Sequence, residues 1–219
     1  MPRRRREAPR PGPRPGEANL APERLMDVAR RLAPEDLVIR QVAREAGYTP
    51  QVPMHVFGSQ AGLHAVLALE GFEELNRSLN RAARKSAEDQ EVLCRLAVAY
   101  LEFGLEGGTR WRTMHSQRLW LAMGDPEERK RAEGGTWLSK HSGGRIDGHI
   151  FDAIVAERHY ALEVFERAAK ASGRPDVHDL VRTLTALIDG LLWQTHFEHV
   201  AVQRERYAAL IQKVISNWR

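Results

Sequence analysis

A chain of 219 residues, 42% hydrophobic and 28% charged, has the material for one domain of ordinary size plus a small second one, and is too apolar to be disordered throughout. No run of about 18 apolar residues occurs, which excludes a membrane span, and the single cysteine, Cys94, excludes an internal disulfide and fits a reducing, cytoplasmic setting. The formal charge of +4 is unevenly placed: residues 1–16 carry six arginines against Glu7, leaving residues 17–219 with 27 basic and 28 acidic side chains.

The opening "MPRRRREAPRPGPRPG" has five prolines, two glycines and, apart from Met1, no aliphatic residue larger than alanine. Such a segment cannot bury enough apolar surface to offset its ordering entropy, so residues 1–18 read as a disordered or polyproline-like basic arm. It is either a phosphate-seeking arm or a solubilising terminus. No apolar stretch of the roughly 7 to 15 residues needed by a secretory signal follows it.

From residue 19 onward helical periodicity dominates, and the expected fold is all-α. Leu25, Val28, Ala29 and Leu32 share one helix face, with Pro22 suited to the first turn and Pro34 to the stop. Ile39, Val42, Ala43 and Ala46 mark a second helix that ends at Gly47. In "TPQVPMHVFGSQ" Thr49 reads as an N-cap for a short helix from Pro50 to Phe57, where both Pro50 and Pro53 fall among amides that have no intrahelical partner. Gly58 breaks it and Ser59 caps a long fourth helix with Leu63, Val66, Leu67, Leu75 and Leu79 on its buried side. Further helices are expected at about 88–106, 109–122, 150–172, 176–198 and 200–218, with residues 124–149 as a long charged, Gly-rich link. The division is a helix-turn-helix domain over 19–85 and a helical ligand-binding and dimerisation domain over 86–219.

Ala43 small at a helix crossing, Gly47 at the turn and the short helix after it describe a helix-turn-helix, a pattern that ordinary helical hairpins share. "LVIRQVAREAGYTPQVPMHVFGSQAGLHAVLALEGFEEL" further resembles the N-terminal region of TetR-type bacterial transcription regulators, with Phe57, Gly58, Ser59 and Leu63 in the family's pattern. "AYLEFGLEGGTRWRTMH" and "LTALIDGLL" are similar to segments of one subgroup's ligand domain; Gly190 agrees, whereas Thr185 and Asp189 stand where that subgroup has tryptophan and histidine.

The resemblance implies a homodimer joined through its last two helices, with double-stranded DNA and a small-molecule effector as partners. Leu180, Leu184, Leu187 and Leu191, then Tyr207, Leu210, Ile211, Val214 and Trp218, form the stripes on those two helices, which equally suit packing inside one subunit. It also points to phosphate contacts at three positions that here hold Val38, Met54 and Gln60; the first two cannot donate and the third carries no charge. Two or three contacts at about 1 kcal/mol each, doubled in a dimer, amount to about 4 to 6 kcal/mol, against a specific margin of about 4 to 10. Arg3, Arg4, Arg5 and Arg6, with Arg10 and Arg14 behind them, are the candidates to supply that affinity, and Arg40, Thr49, Gln51 and His55 to supply register and base contact.

Phe103, Trp111, Met114, His115, Trp120 and Trp193 are the candidate effector-site residues, aromatics at helical spacing that would also serve as plain core. His196 and His199 share a helix face, but no Cys, His or carboxylate cluster has strong metal-ligand spacing, so no metal or cofactor is expected. No nucleophile elbow, phosphate loop or paired-carboxylate signature points to catalysis. The expected function is a ligand-responsive repressor acting as a homodimer on a palindromic operator; the alternative is a ligand- or partner-binding dimer of the same fold that has lost specific DNA recognition.

Overall fold

The computed structural model describes residues 21–32, 35, 37–84, 89–136, 149–198, 201 and 203–218; the arm, Trp137 and His199 lie outside them. All regular structure among the described residues is helical. A head is formed by α1 (Ala21–Ala29), α2 (Ile39–Ala46) and α3 (Gln51–Phe57), and α4 (Gln60–Ala83) runs from it into a body. The body comprises α5 (Asp89–Glu106), α6 (Gly108–Met114), α7 (Gln117–Met123), α8 (Pro126–Glu133), α9 (Ile150–Ala171), α10 (Val177–Phe197) and α11 (Arg204–Asn217). None of these helices is long and apolar enough to cross a membrane.

The head follows its sequence closely. Every apolar position expected on α1, α2 and α4 is buried, Gly47 ends α2 in the left-handed region at φ 79°, and Ser59 Oγ accepts from the Gly62 amide to cap α4. One apolar core runs without interruption from Leu25 in α1, through α4, to Ile215 in α11. Arg30 adds a two-pronged bond to Glu70 (3.0 and 2.8 Å), tying α1 to α4. Arg112 on α6 pairs with Glu35 in the α1–α2 connection.

Several local expectations are corrected. Thr49 does not cap α3: the helix starts at Gln51 after Pro50, without a side-chain cap, and Thr49 offers only its carbonyl, to the Val52 amide at 3.1 Å. With no N–H at Pro50 or Pro53, this first turn has fewer donors for a cap to satisfy. The helix expected over 109–122 is two, because Ser116 adopts extended backbone and caps a fresh start by accepting from Leu119 N–H. The link at 124–149 is not a bare loop, since it contains α8. Asp125 Oδ1 accepts from the amides of Glu127 and Glu128, Pro126 sits in the first turn, and acidic then basic residues complement the helix dipole. The last helix begins at Arg204 rather than near residue 200.

Two side chains of α4 hold the entry to α2. Gln60 Oε1 accepts from the Ile39 amide at 2.9 Å, and Gln60 Nε2 donates to the Leu37 carbonyl at 2.5 Å. Val38, at the N-cap of α2, has no side chain that can cap, and Gln60 performs that task from the neighbouring helix. One turn further, buried His64 donates from Nε2 to the same carbonyl at 3.2 Å, while its Nδ1 is buried without a partner.

Burial pushes the His64 imidazole down to about 4, with the charge of Arg118 acting in the same direction and the Leu37 carbonyl against it. The native state therefore refuses a proton that the unfolded chain accepts below pH 6.5. The resulting stability is fully present above that pH and is lost as pH falls toward 4, a total of about 3 kcal/mol. Replacing the group by one that cannot titrate, His64→Gln, is expected to shrink the drop in urea midpoint between pH 7 and pH 4.5 by a corresponding amount.

Candidate DNA-reading face and effector cavity

Arg40 on α2, Thr49 in the turn, and Gln51 and His55 on α3 are all exposed, and none of their side chains has a hydrogen bond among the described residues. The helix-turn-helix thus presents one arginine and three further polar side chains outward. Met54, 45% exposed, and Val38 lie on the surface beside them. Gln60 is different: both ends of its amide are committed to Leu37 and Ile39, so it is a brace within the head rather than a free surface donor.

The end of α3 is covered in a way that no sequence signal announces. Carbonyls of Arg131 and Ala132, at the end of α8, lie so close to Gly58 that a Cβ there would collide with both. A Cβ on Gly135 would sit 2.6 Å from the Phe57 carbonyl carbon and from the Val56 oxygen. Thr136 Oγ1 donates to the His55 carbonyl at 3.3 Å. Backbone therefore rests on backbone between the last turn of α3 and the segment after α8. Arg129 at the other end of this strap binds Asp152 of α9 at 2.7 Å.

In the body, a cavity of about 250 Å³ opens between α4, α5, α6, α7, α9 and α10. Its apolar wall is made by Phe72, Leu75, Leu79, Leu162 and Phe165, and its polar corner by Tyr100, His115, Thr185 and Asp189. Tyr100 O–H donates to Asp189 Oδ1 at 2.5 Å; burial first, and then the Asp189 charge, push the phenol well above its usual range, so it stays protonated. His115 Nδ1 lies 3.0 Å from the Trp111 carbonyl. A carbonyl only accepts, so that nitrogen carries the hydrogen, and Nε2 faces Asp189 Oδ1 at 3.7 Å.

Of the six aromatic or bulky residues expected at an effector site, His115 and Trp120 line this cavity. Trp111 is buried behind it, stacked on His115 at 4.5 Å. Phe103 and Met114 are buried elsewhere in the core, and Trp193 is 49% exposed, stacked on Phe197 at 4.1 Å. Tyr100, Arg158, Thr185 and Asp189 line the cavity without having been expected there. Asp189 is nonetheless visible in the sequence as a lone carboxylate within "LTALIDGLLW". A second hollow, of about 500 Å³, separates the head from α6, but its arginines Arg30, Arg110 and Arg112 are already paired, with Glu70, Glu74 and Glu35. Among the described residues no group of three His, Cys, Asp or Glu could hold a metal ion.

The all-helical fold is shared with solved structures over nearly the whole chain. The chain has the fold of a TetR family transcriptional regulator, PfmR from Thermus thermophilus, with a TM-score of 0.58 at 15% identity, over 92% of this chain and 97% of that one. It is also similar to a protein of unknown function from Rhodococcus sp. RHA1 (TM-score 0.60, 20% identity, 94% and 96% covered) and to the superantigen PfiT (0.52, 14%, 90% and 95%). No family model and no curated protein sequence matches the chain.

The strap on α3 gives a direct test. Gly58, at φ 72°, combines a left-handed backbone with the α8 carbonyls against its Cα, whereas Gly173, at φ 67°, has nothing within 4 Å. Gly173→Ala should cost about 1 to 2 kcal/mol, the conformational penalty alone. Gly58→Ala should cost clearly more, on the order of 3 kcal/mol, the excess in chemical denaturation measuring the approach of α8.

Proposed function

We propose that this chain is a ligand-responsive, DNA-binding transcriptional regulator, a repressor that acts as a homodimer on a palindromic operator. The observation that carries the reading is the set of exposed, uncommitted side chains Arg40, Thr49, Gln51 and His55 on a helix-turn-helix whose next helix, α4, also walls the body cavity. In this reading Gln51 and His55 meet base edges and Arg40 a phosphate, while Met54 packs on thymine methyls. The basic arm, with Arg3, Arg4, Arg5 and Arg6, supplies the phosphate attraction that Val38 and Met54 do not.

The homodimer is proposed through α10 and α11. Ala186, Gly190, Trp193 and Phe197 follow one another at intervals of four, three and four on α10, and all four are exposed. Gly190 has nothing within 4 Å, so an exposed helix interior carries a residue poorly suited to it unless another helix approaches closely. Leu210 on α11 is exposed as well, and a partner would cover it. A second copy of this surface covers these groups by two-fold symmetry.

Effector control is proposed to pass through Trp120. This residue lines the cavity from α7, and only Gly124 and Asp125 separate α7 from α8, whose end abuts α3. A ligand that displaces Trp120 shifts the strap and with it the recognition helix, at a cost to DNA affinity equal to the coupling free energy.

The second reading, a dimer of this fold without specific DNA recognition, is favoured by the internal commitment of Gln60 together with exposed Val38 and Met54 where charged or hydroxyl donors would grip phosphate. Fluorescence anisotropy with the duplex upstream of the gene distinguishes them. The intact chain should bind that duplex well above a scrambled one. Deletion of residues 1–16 should weaken binding at least about tenfold and reduce the salt slope by about 0.9 for each phosphate that is no longer neutralised. Equal binding of both duplexes by the intact chain favours the second reading.

A further inference from the structure

The cavity beside α4 has a specific chemical asymmetry. On its polar side the hydrogens are already spent: the Tyr100 hydroxyl gives its own to Asp189 Oδ1, Thr185 gives its to the carbonyls of Val181 or Arg182, and His115 Nδ1 gives its to Trp111. The groups left on that side are the Asp189 carboxylate, with His115 Nε2 3.7 Å from its Oδ1, and the Thr185 oxygen. The cation among the lining residues, Arg158, is exposed and holds its guanidinium over the Trp120 ring, 5.3 Å from its centre. It forms no ion pair with Asp189.

Acceptors gathered around a carboxylate need a partner that brings both hydrogens and positive charge. The opposite wall, of Phe72, Leu75, Leu79, Leu162 and Phe165, needs an apolar body. Size sets a third limit: since a void of about 150 Å³ takes benzene, one of about 250 Å³ takes a single ring with a short side chain.

Taking the cavity as the effector site, as the preceding reading does, we propose that its ligand is a small primary amine with one aromatic or alicyclic ring, the ammonium held by Asp189 and the ring against Phe72 and Phe165. An anion of the same shape would be repelled by Asp189, with Arg158, exposed and held over Trp120, as the cation left to answer it, and a neutral alcohol could satisfy one acceptor only. The cavity thereby selects by charge more than by shape.

The test uses the full chain and three probes of matched length, phenethylamine, phenethyl alcohol and phenylacetate, titrated by calorimetry in the absence of DNA. The amine should bind at least about tenfold more tightly than either of the others. Asp189→Asn, which keeps the shape and one acceptor for Tyr100, should remove that preference; Thr185→Val, which deletes one acceptor and leaves the carboxylate, should retain it and serves if the first variant unfolds. Equal or tighter binding of the alcohol or the acid, an amine preference that survives Asp189→Asn in a folded protein, or no binding by the amine at millimolar concentration would overturn the assignment. Because no DNA is present, such a failure leaves the regulator reading untouched, and loss of DNA recognition in anisotropy would leave the amine assignment standing.

Discussion

A single backbone oxygen, the carbonyl of Leu37, fixes how the head is mounted. Two successive turns of α4 deliver a side chain to it, Gln60 and then His64, and Gln60 uses its other end to cap the first amide of α2. The start of α2 is therefore set by α4, and α3 follows from α2 through the left-handed turn at Gly47. Burying an imidazole with one partnerless nitrogen is unfavourable, and it is tolerated because the neutral form at least satisfies the carbonyl. The same arrangement removes Gln60 from any role on the surface.

Because α4 carries that mount at one end and the apolar wall of the cavity further along, one helix belongs to both the head and the body. The continuous core from α1 to α11 agrees with this, as do Arg30 on Glu70 and Arg112 on Glu35. A second line of contact runs outside α4, from Trp120 on α7 through two residues to α8 and onto the last turn of α3. That second line depends on glycine at Gly58 and Gly135, where backbones approach closer than any side chain allows. On the proposed function, it is the line through which an occupied cavity would act.

The all-α fold and the helix-turn-helix were legible because they are written in local periodicity: Ile39, Val42, Ala43 and Ala46 can bury together only on a helix, and Gly58 and Ser59 stop one helix and cap the next. The helix α8 is equally local, in "DPEE" followed by "RKR", but its Gly-rich surroundings dominate a reading of the link. The cavity was legible only in part, through His115 and Trp120. Tyr100, Arg158 and Asp189 come from three helices far apart in sequence, and their meeting is a property of packing that no spacing encodes. The aromatic character of Trp193 suggests the cavity, yet the residue faces outward with Phe197, where periodicity cannot tell a core stripe from a surface one.

The fold by itself leaves function open, for the structures it resembles include both a transcriptional regulator and a superantigen. On the proposed function, two copies joined along the Gly190 and Trp193 face present paired reading helices to one DNA site. Sedimentation of the full chain with a labelled upstream duplex, beside the Trp193→Glu variant, tests it most directly. Two chains per duplex are expected for the parent protein, with a monomer and loss of specific DNA binding for the variant. One chain per duplex, or a monomeric variant that binds as tightly as the parent, would contradict it.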